Sequence, residues 1–319
     1  MIINSVLVKK GGANIIGAYE MEGMLTENAP KGTRVSGYYS VDIEQGLETI
    51  NPEGIPNIGY GVSFSPNGQF MAVAHENSPY ITVYKIEGET FSKITVPGLL
   101  GTGREVSFSS DGQFRAVAHS SSPYITVYKI EGETFTQISV PSVPNTGYGV
   151  SFSPDGRFMA VAHDGYPYIT VYKIEGETFT KISVPSVSSR GHGVSFSPDG
   201  RFMAVAHYDS PYITVYKIEG ETFTQISVPS VSGRGYGVSF SPDGRFMAVG
   251  SWLNPYITVY KIEGETFTKI TVQGVSNTGY GVSFSSDGQF MAVAHSSGLY
   301  ITVYKIEGET FTQISVPSV

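Results

Sequence analysis

One spacing governs this chain. Val62, Val106, Val150, Val194, Val238 and Val282 recur every 44 residues, and Phe64, Phe108, Phe152, Phe196, Phe240 and Phe284 keep the same step. A fixed period in this range denotes one supersecondary unit stacked on its own copies, because a single unit cannot bury both of its faces. Six copies fill residues 56–319, so a single repeat domain is expected there, with residues 1–55 outside the regular array.

The third copy shows what the unit is. Residues 149–153 (GVSFS) alternate apolar and small side chains and run into Pro154-Asp155-Gly156, which reads as a strand entering a hairpin turn. Residues 158–163 (FMAVAH) give a second strand, ended by the variable loop Asp164-Gly165-Tyr166-Pro167. Residues 168–174 (YITVYKI) give a third, rich in β-branched and aromatic residues, and Glu175-Gly176-Glu177 turns the chain into a fourth at 179–184 (FTKISV). No window sustains a 3.6-residue apolar period. Four antiparallel strands every 44 residues are the signature of a β-propeller blade, whereas a β-solenoid has shorter coils and lacks two hairpin turns per repeat. Both faces of a blade are buried, so Met159 and Val161 are expected to face one neighbour and Phe158 and Ala160 the other.

The string VSFSPDGRFMAVAH followed by YITVYK resembles the tryptophan–aspartate repeat propellers in all six copies. The resemblance implies the propeller architecture. Two departures stand out: Tyr84-Lys85, Tyr172-Lys173 and their equivalents replace Trp-Asp, and a Gly-His pair before the first strand survives only at Gly191-His192. The hydrogen-bonded tetrad of that family therefore does not carry over.

Residues 1–55 do not match the repeat by eye, yet Ile50 lies 44 residues before Ile94, and Val41-Asp42-Ile43-Glu44 with Gly46 echoes Val83 to Gly88 within one deletion. Residues 2–9, 13–21 and 37–51 are accordingly read as the strands of a diverged blade, terminal repeats being commonly atypical. The expected fold is an all-β propeller of seven four-stranded blades. The alternative is six blades with 1–55 as an anchoring arm.

A formal net charge of −8 and a pI near 5.3 argue against a nucleic-acid partner, which calls for clustered Lys and Arg. The absence of cysteine excludes disulfides and thiolate metal sites. The first residues lack the basic n-region of a secretory signal, and no segment approaches the roughly 18 to 20 apolar residues that span a bilayer. A soluble protein, cytoplasmic or virion-associated, without membrane insertion, is expected.

Lys93, Gln137, Lys181, Gln225, Lys269 and Gln313 alternate at twice the period, which points to recent duplication of a two-blade piece. Where such young copies differ is informative. The SPDG-like and IEGET turns, on one face, are nearly invariant, while the loops after the second strand and the inter-blade links, on the other, vary. That variable rim carries Tyr60, Glu76, Arg104, Tyr148, Asp164, Tyr166, Arg190, His192, Tyr208, Asp209, Arg234, Tyr236, Trp252, Asn254 and Tyr280. Flat aromatic surfaces with directional hydrogen-bonding groups suit a glycan or a protein surface. The bland alternative is that solvated loops drift freely.

His75, His119, His163, His207 and His295 recur at one position, with Ser251 in the fifth copy. Zinc-bound nitrogens, about 2.0–2.1 Å from the metal, sit only some 3.3 Å apart. Second-strand ends of neighbouring blades are separated by about twice a 4.8 Å strand spacing. These histidines are therefore read as structural, hydrogen-bonded to a loop of their own or the next blade, and no metal or cofactor is expected. The second copy alone has Arg104-Glu105 and Arg115 in place of the usual Tyr-Gly and Met, and Arg115 is expected to reach the channel or a partner. Every blade repeats the same Ser, His and Asp, whereas catalytic sites break symmetry. The expected function is thus a non-catalytic recognition module presenting its loop rim to a glycan, receptor or partner protein, such as a phage tail or virion attachment component within a larger assembly. The alternatives are a bacterial intracellular scaffold and a propeller hydrolase or lactonase.

Overall fold

The computed structural model describes the backbone of residues 6–8 and 48–50 and all of residues 54–298 and 300–314. Six antiparallel four-stranded sheets follow one another, each in the order first to fourth strand. They span 59–94, 103–138, 147–182, 191–226, 235–270 and 279–314 and are numbered here as blades one to six. The propeller expected from the period is present, with six blades rather than seven among the described residues. Of the diverged blade expected in 1–55, Val6–Val8 pairs antiparallel with Glu48–Ile50, with Leu7 opposite Thr49. The rest of that expectation lies outside the described residues.

In blade three the strands are Gly147–Phe152, Phe158–His163, Ile169–Glu175 and Thr178–Ile182. The first begins two residues before the sequence expectation, because the Gly-x-Gly belongs to the strand as a bulge opposite His163 and Ala162. The third begins one residue late: Tyr168 takes a left-handed φ of 69°, as do its five equivalents at 61–69°. The SPDG turn is closed by the serine before it. Ser153 Oγ donates to Asp155 Oδ1 at 2.6 Å and accepts from Phe158 N–H at 2.9 Å, while Gly156 takes φ +73°. In blade one Asn67 performs the same task, accepting from Ser65 Oγ at 2.7 Å.

All six second strands are buried along their whole length. Phe158, Ala160 and Ala162 pack with Met203, Val205 and Tyr216 of blade four, and Met159 and Val161 pack with Phe114 and Ala116 of blade two. The expected division of faces is correct.

The Tyr-Lys pair takes over the inter-blade contact. Tyr216 Oη donates to Pro185 O at 2.6 Å and Tyr128 Oη to Pro97 O at 2.8 Å, each fastening a blade to the link before it. Lys129 Nζ reaches Glu131 of its own blade at 2.5 Å and Glu177 of the next at 2.7 Å, and Lys173 bridges Glu175 and Glu221 in the same way. The two acids of the IEGET turn thus serve lysines of two neighbouring blades and tie them together. The pattern stops at Lys305, which among the described residues bridges only Glu307.

The repeated histidines are structural, and the side-chain partner all five share is a strand residue. Nε2 of His75, His119, His163, His207 and His295 lies 2.8–3.0 Å from Thr82, Thr126, Thr170, Thr214 and Thr302 of the same blade's third strand. Only His207 and His295 add a link serine, Ser188 and Ser276. Arg115 reaches neither channel nor partner. It is fully buried, with its guanidinium 4.2 Å from the Tyr128 ring and 4.6 Å from that of Phe135 and no nitrogen hydrogen-bonded. No helix of the described residues is long and apolar enough to cross a membrane.

Two stability tests follow from these interiors. A buried cation without acceptors opposes folding, so Arg115→Met, the residue of the other copies, is expected to stabilise the protein by about 2 kcal/mol in urea titration. A loss of stability would show that the two rings hold the guanidinium favourably. Burial lowers the pKa of His75, His119, His163 and His207 to about 4. Unfolded imidazoles, near 6.5, bind protons first on acidification, so stability present above pH 6.5 is expected to fall steadily toward pH 4. Thermal melts across that range, with a flat profile as the contrary result, check this.

Candidate active site at the variable mouth of the channel

The two rims of the propeller are chemically unlike. Where the SPDG turns gather, the channel widens into a recess of about 580 Å³ walled by Ser, Phe and Pro, among them Ser63, Phe108, Pro154 and Ser283, with no titratable side chain. Acid, base and cation chemistry gathers instead at the opposite mouth, where first strands begin and the variable loops lie.

Glycine packing builds that mouth. A Cβ on Gly147 would lie 2.5 Å from Tyr124 O, and one on Gly149 would lie 2.6 Å from His192 O of the next blade. Glycine on both sides leaves the middle residue of each Gly-x-Gly as the only side chain there. The six middle residues form a continuous row. Arg104 Cζ lies 4.7 Å from the Tyr60 ring and 5.9 Å from that of Tyr148. Ring centroids of Tyr148 and His192, His192 and Tyr236, and Tyr236 and Tyr280 then follow at 5.2, 5.1 and 5.1 Å.

A second tier stands behind the row in blades three to five. Arg190 Nε donates to Asp164 Oδ1 at 2.6 Å, and its Cζ lies 5.5 Å from the Tyr208 ring. Arg234 sits between Tyr208 at 3.9 Å and Trp252 at 4.9 Å, and Tyr208 also stacks on His192 at 6.3 Å. Burial lowers the His192 pKa to about 4, the Arg190 charge adding to the effect, so the imidazole is neutral at physiological pH. Its Nε2 is shielded and unpartnered. The hydrogen bond it donates to Asp164 raises the Arg190 pKa above its ordinary value.

Of the rim residues singled out in the sequence, Tyr60, Arg104, Tyr148, Asp164, Arg190, His192, Tyr208, Arg234, Tyr236, Trp252 and Tyr280 are connected in this way. The other four are not. Glu76 accepts from Asn57 on blade one at 2.8 Å. Tyr166, 73% exposed, touches only Tyr168 among aromatic rings. Asp209 is tied through its backbone N–H to Ser189, and Asn254 stands exposed before Pro255. The sequence reading omitted Glu105 from the rim. Its signal was the loss, in one copy, of a glycine kept in the others. Burial pushes its carboxyl up to about 8.

A family model described as lactonase, seven-bladed β-propeller, matches residues 143–231. Over that stretch the chain is similar to the propeller lactonases. No curated protein sequence matches it. Among solved structures, a candidate 6-phosphogluconolactonase from Bacteroides uniformis is 15% identical, with a TM-score of 0.73 over 86% of this chain and 89% of that one. A second, from Bacteroides fragilis, is 14% identical, with a TM-score of 0.72 over 99% and 96%. The periplasmic gluconolactonase of Pseudomonas aeruginosa is 17% identical, with a TM-score of 0.72 over 99% and 96%. At such identities the likeness establishes the propeller fold.

These findings correct the sequence reading. The family that matches is the lactonases, not the tryptophan–aspartate repeats, whose likeness rested on a turn that propellers share. The non-catalytic recognition module, with its glycan, receptor and virion variants, gives way to the lactonase alternative. Blades two to six repeat the same Ser and Asp, but Arg104, Glu105, Arg190, His192 and Arg234 break the symmetry. Trp252 is the only tryptophan and lies against Arg234. Titration with D-gluconate is therefore expected to change its emission saturably, and Arg234→Ala to abolish the response; unchanged wild-type emission would remove this mouth as the binding surface.

Proposed function

We propose that this protein hydrolyses lactones of sugar acids at the mouth lined by Arg104, Arg190, His192 and Arg234. The observation that carries the reading is a coincidence of two independent findings. The stretch similar to lactonases, 143–231, contains Tyr148, Asp164, Arg190, His192 and Tyr208, which meet at the mouth.

Opening a cyclic ester needs a water deprotonated as it attacks, positive charge for the oxyanion of the tetrahedral intermediate, and a proton for the ring oxygen that leaves. The neutral His192 imidazole suits the first task through its other ring nitrogen, Nε2 being shielded. The guanidinium groups of Arg104, Arg190 and Arg234 suit the second. The rings of Tyr148, Tyr208, Tyr236 and Trp252 offer flat faces to a sugar ring and exclude water from it. The Asp164 bond aims Arg190 between Tyr148 and Tyr208.

The full chain is expected to accelerate opening of D-glucono-1,5-lactone or its 6-phosphate, followed by proton release with the buffer rate subtracted. Loss of one oxyanion-binding cation, in Arg190→Ala or Arg234→Ala, is expected to lower kcat/KM about 100-fold. No acceleration over buffer with any sugar-acid lactone would sink the assignment.

A further inference from the structure

Two positions of the variable rim are tied to each other in every blade. The residue after the second strand donates its backbone N–H to the carbonyl of the residue before the first: Asp164 to Thr146 at 3.0 Å, Tyr208 to Arg190 at 3.0 Å and Trp252 to Arg234 at 2.9 Å. Blades four and five alone place an arginine beside an aromatic ring at this tie. The other four have Ile or Thr beside Glu, Ser or Asp.

Each of the two arginines also reaches back to the loop of the blade before it, and there they differ. Arg190 meets an acid, Asp164, and donates to it at 2.6 Å. Arg234 meets a ring at the same place: its Cζ lies 3.9 Å from Tyr208, with Trp252 at 4.9 Å. Among the described residues no carboxylate is ion-paired with Arg234, which donates to the Tyr236 hydroxyl. An arginine of purely structural duty would be served by the acid that blade three supplies at this point. A ring there leaves the charge unanswered at the channel mouth. With rings packed against the guanidinium, what it offers a ligand is the N–H groups at its edge, and that planar fork matches the two oxygens of a carboxylate. Trp252 is 43% exposed, so a ligand can reach the pair.

We propose that Arg234, flanked by Tyr208 and Trp252, is a binding site for the carboxylate of a sugar acid, and that the enzyme is held back by its own product. The site rests on the geometry of blades four and five; the consequence for turnover rests on the lactonase reading above. A lactone brings a neutral ester to the guanidinium, and hydrolysis leaves a carboxylate in its place. Hydrogen bonds to an ionised acceptor are roughly twice as strong as neutral ones, so the product is held more firmly than the substrate. Its departure then limits the rate. D-gluconate is expected to inhibit competitively, with an inhibition constant about tenfold below KM for D-glucono-1,5-lactone.

The test reads Trp252 emission in the full-length protein titrated with D-gluconate, with D-glucitol, which lacks the carboxylate, and with inorganic phosphate. A thermal melt accompanies each variant. Wild type is expected to respond saturably to D-gluconate, not to D-glucitol, and more weakly to phosphate. Tyr208→Asp, which rebuilds at Arg234 the ion pair of Asp164 with Arg190, is expected to weaken D-gluconate binding about 100-fold. Arg234→Gln, which removes the guanidinium and adds no acid, is expected to lose it as well, while Tyr208→Phe is expected to bind more tightly than Tyr208→Asp. If either Tyr208→Asp or Arg234→Gln binds D-gluconate as the wild type does, or if D-glucitol or phosphate binds as tightly, the inference falls. If the wild type opens lactones without inhibition by D-gluconate, the inference falls while hydrolysis stands. If D-gluconate binds through Arg234 but no lactone is opened, hydrolysis falls and the carboxylate site stands.

Discussion

The structure depends on how closely the first strands of neighbouring blades can approach. Their carbonyl oxygens come so near that Gly61, Gly149, Gly193 and Gly237 have no room for a Cβ, and Gly103, Gly147, Gly191, Gly235 and Gly279 are pressed against the carbonyl of the tyrosine that opens the preceding third strand. This contact sets the radius of the channel. It also determines that one side chain per blade is displayed at the mouth, in the middle of each Gly-x-Gly. Everything with chemical character on the inner edge of the ring therefore comes from six residues and from one exception, Glu105, which violates the rule.

Away from the channel the blades are held by a different economy. Apolar second strands supply burial on both faces, and the edges-to-face contacts of Phe158 with Phe223 and of Phe202 with Phe267, at 5.2 Å, repeat from blade to blade. The polar ties lie at the periphery: a tyrosine hydroxyl to a link carbonyl, and a lysine shared by two glutamates. Such exposed ion pairs contribute little each, but they occur at every interface on the uniform rim and leave the other rim free of structural duty. Loops on the variable side can change without loosening the ring, which is why function can be lodged there.

Symmetry then becomes the obstacle that a site has to overcome. A ring of equivalent wedges offers six copies of every feature and a unique place for none. Blades two, four and five escape this through Arg104 with Glu105, Arg190 with His192, and Arg234 with Trp252. Arg115 breaks the same symmetry to no visible purpose, since it points into the interface between blades one and two and meets only rings. Departure from the repeat is thus a necessary sign of a site and not a sufficient one.

Much of this was legible in the amino-acid order. The 44-residue step, the four strands, the turn residues, the division of each strand between two neighbours and the identity of the variable rim all follow from interactions within a few residues of the chain, which repetition makes unmistakable. The family was misread, because the F-S-P-D-G turn reports a hairpin common to propellers and not the chemistry mounted on them. Tertiary structure alone decided which rim residues meet. Arg190 finds Asp164 and Arg234 lodges between Tyr208 and Trp252 because adjacent blades bring their loops together, while Glu76 and Asn254 of the same sequence class stand apart. It also decided the environments of Glu105 and Arg115, since the cost of a charge depends on what surrounds it, and that is set by the distance between blades rather than by any neighbour in the chain.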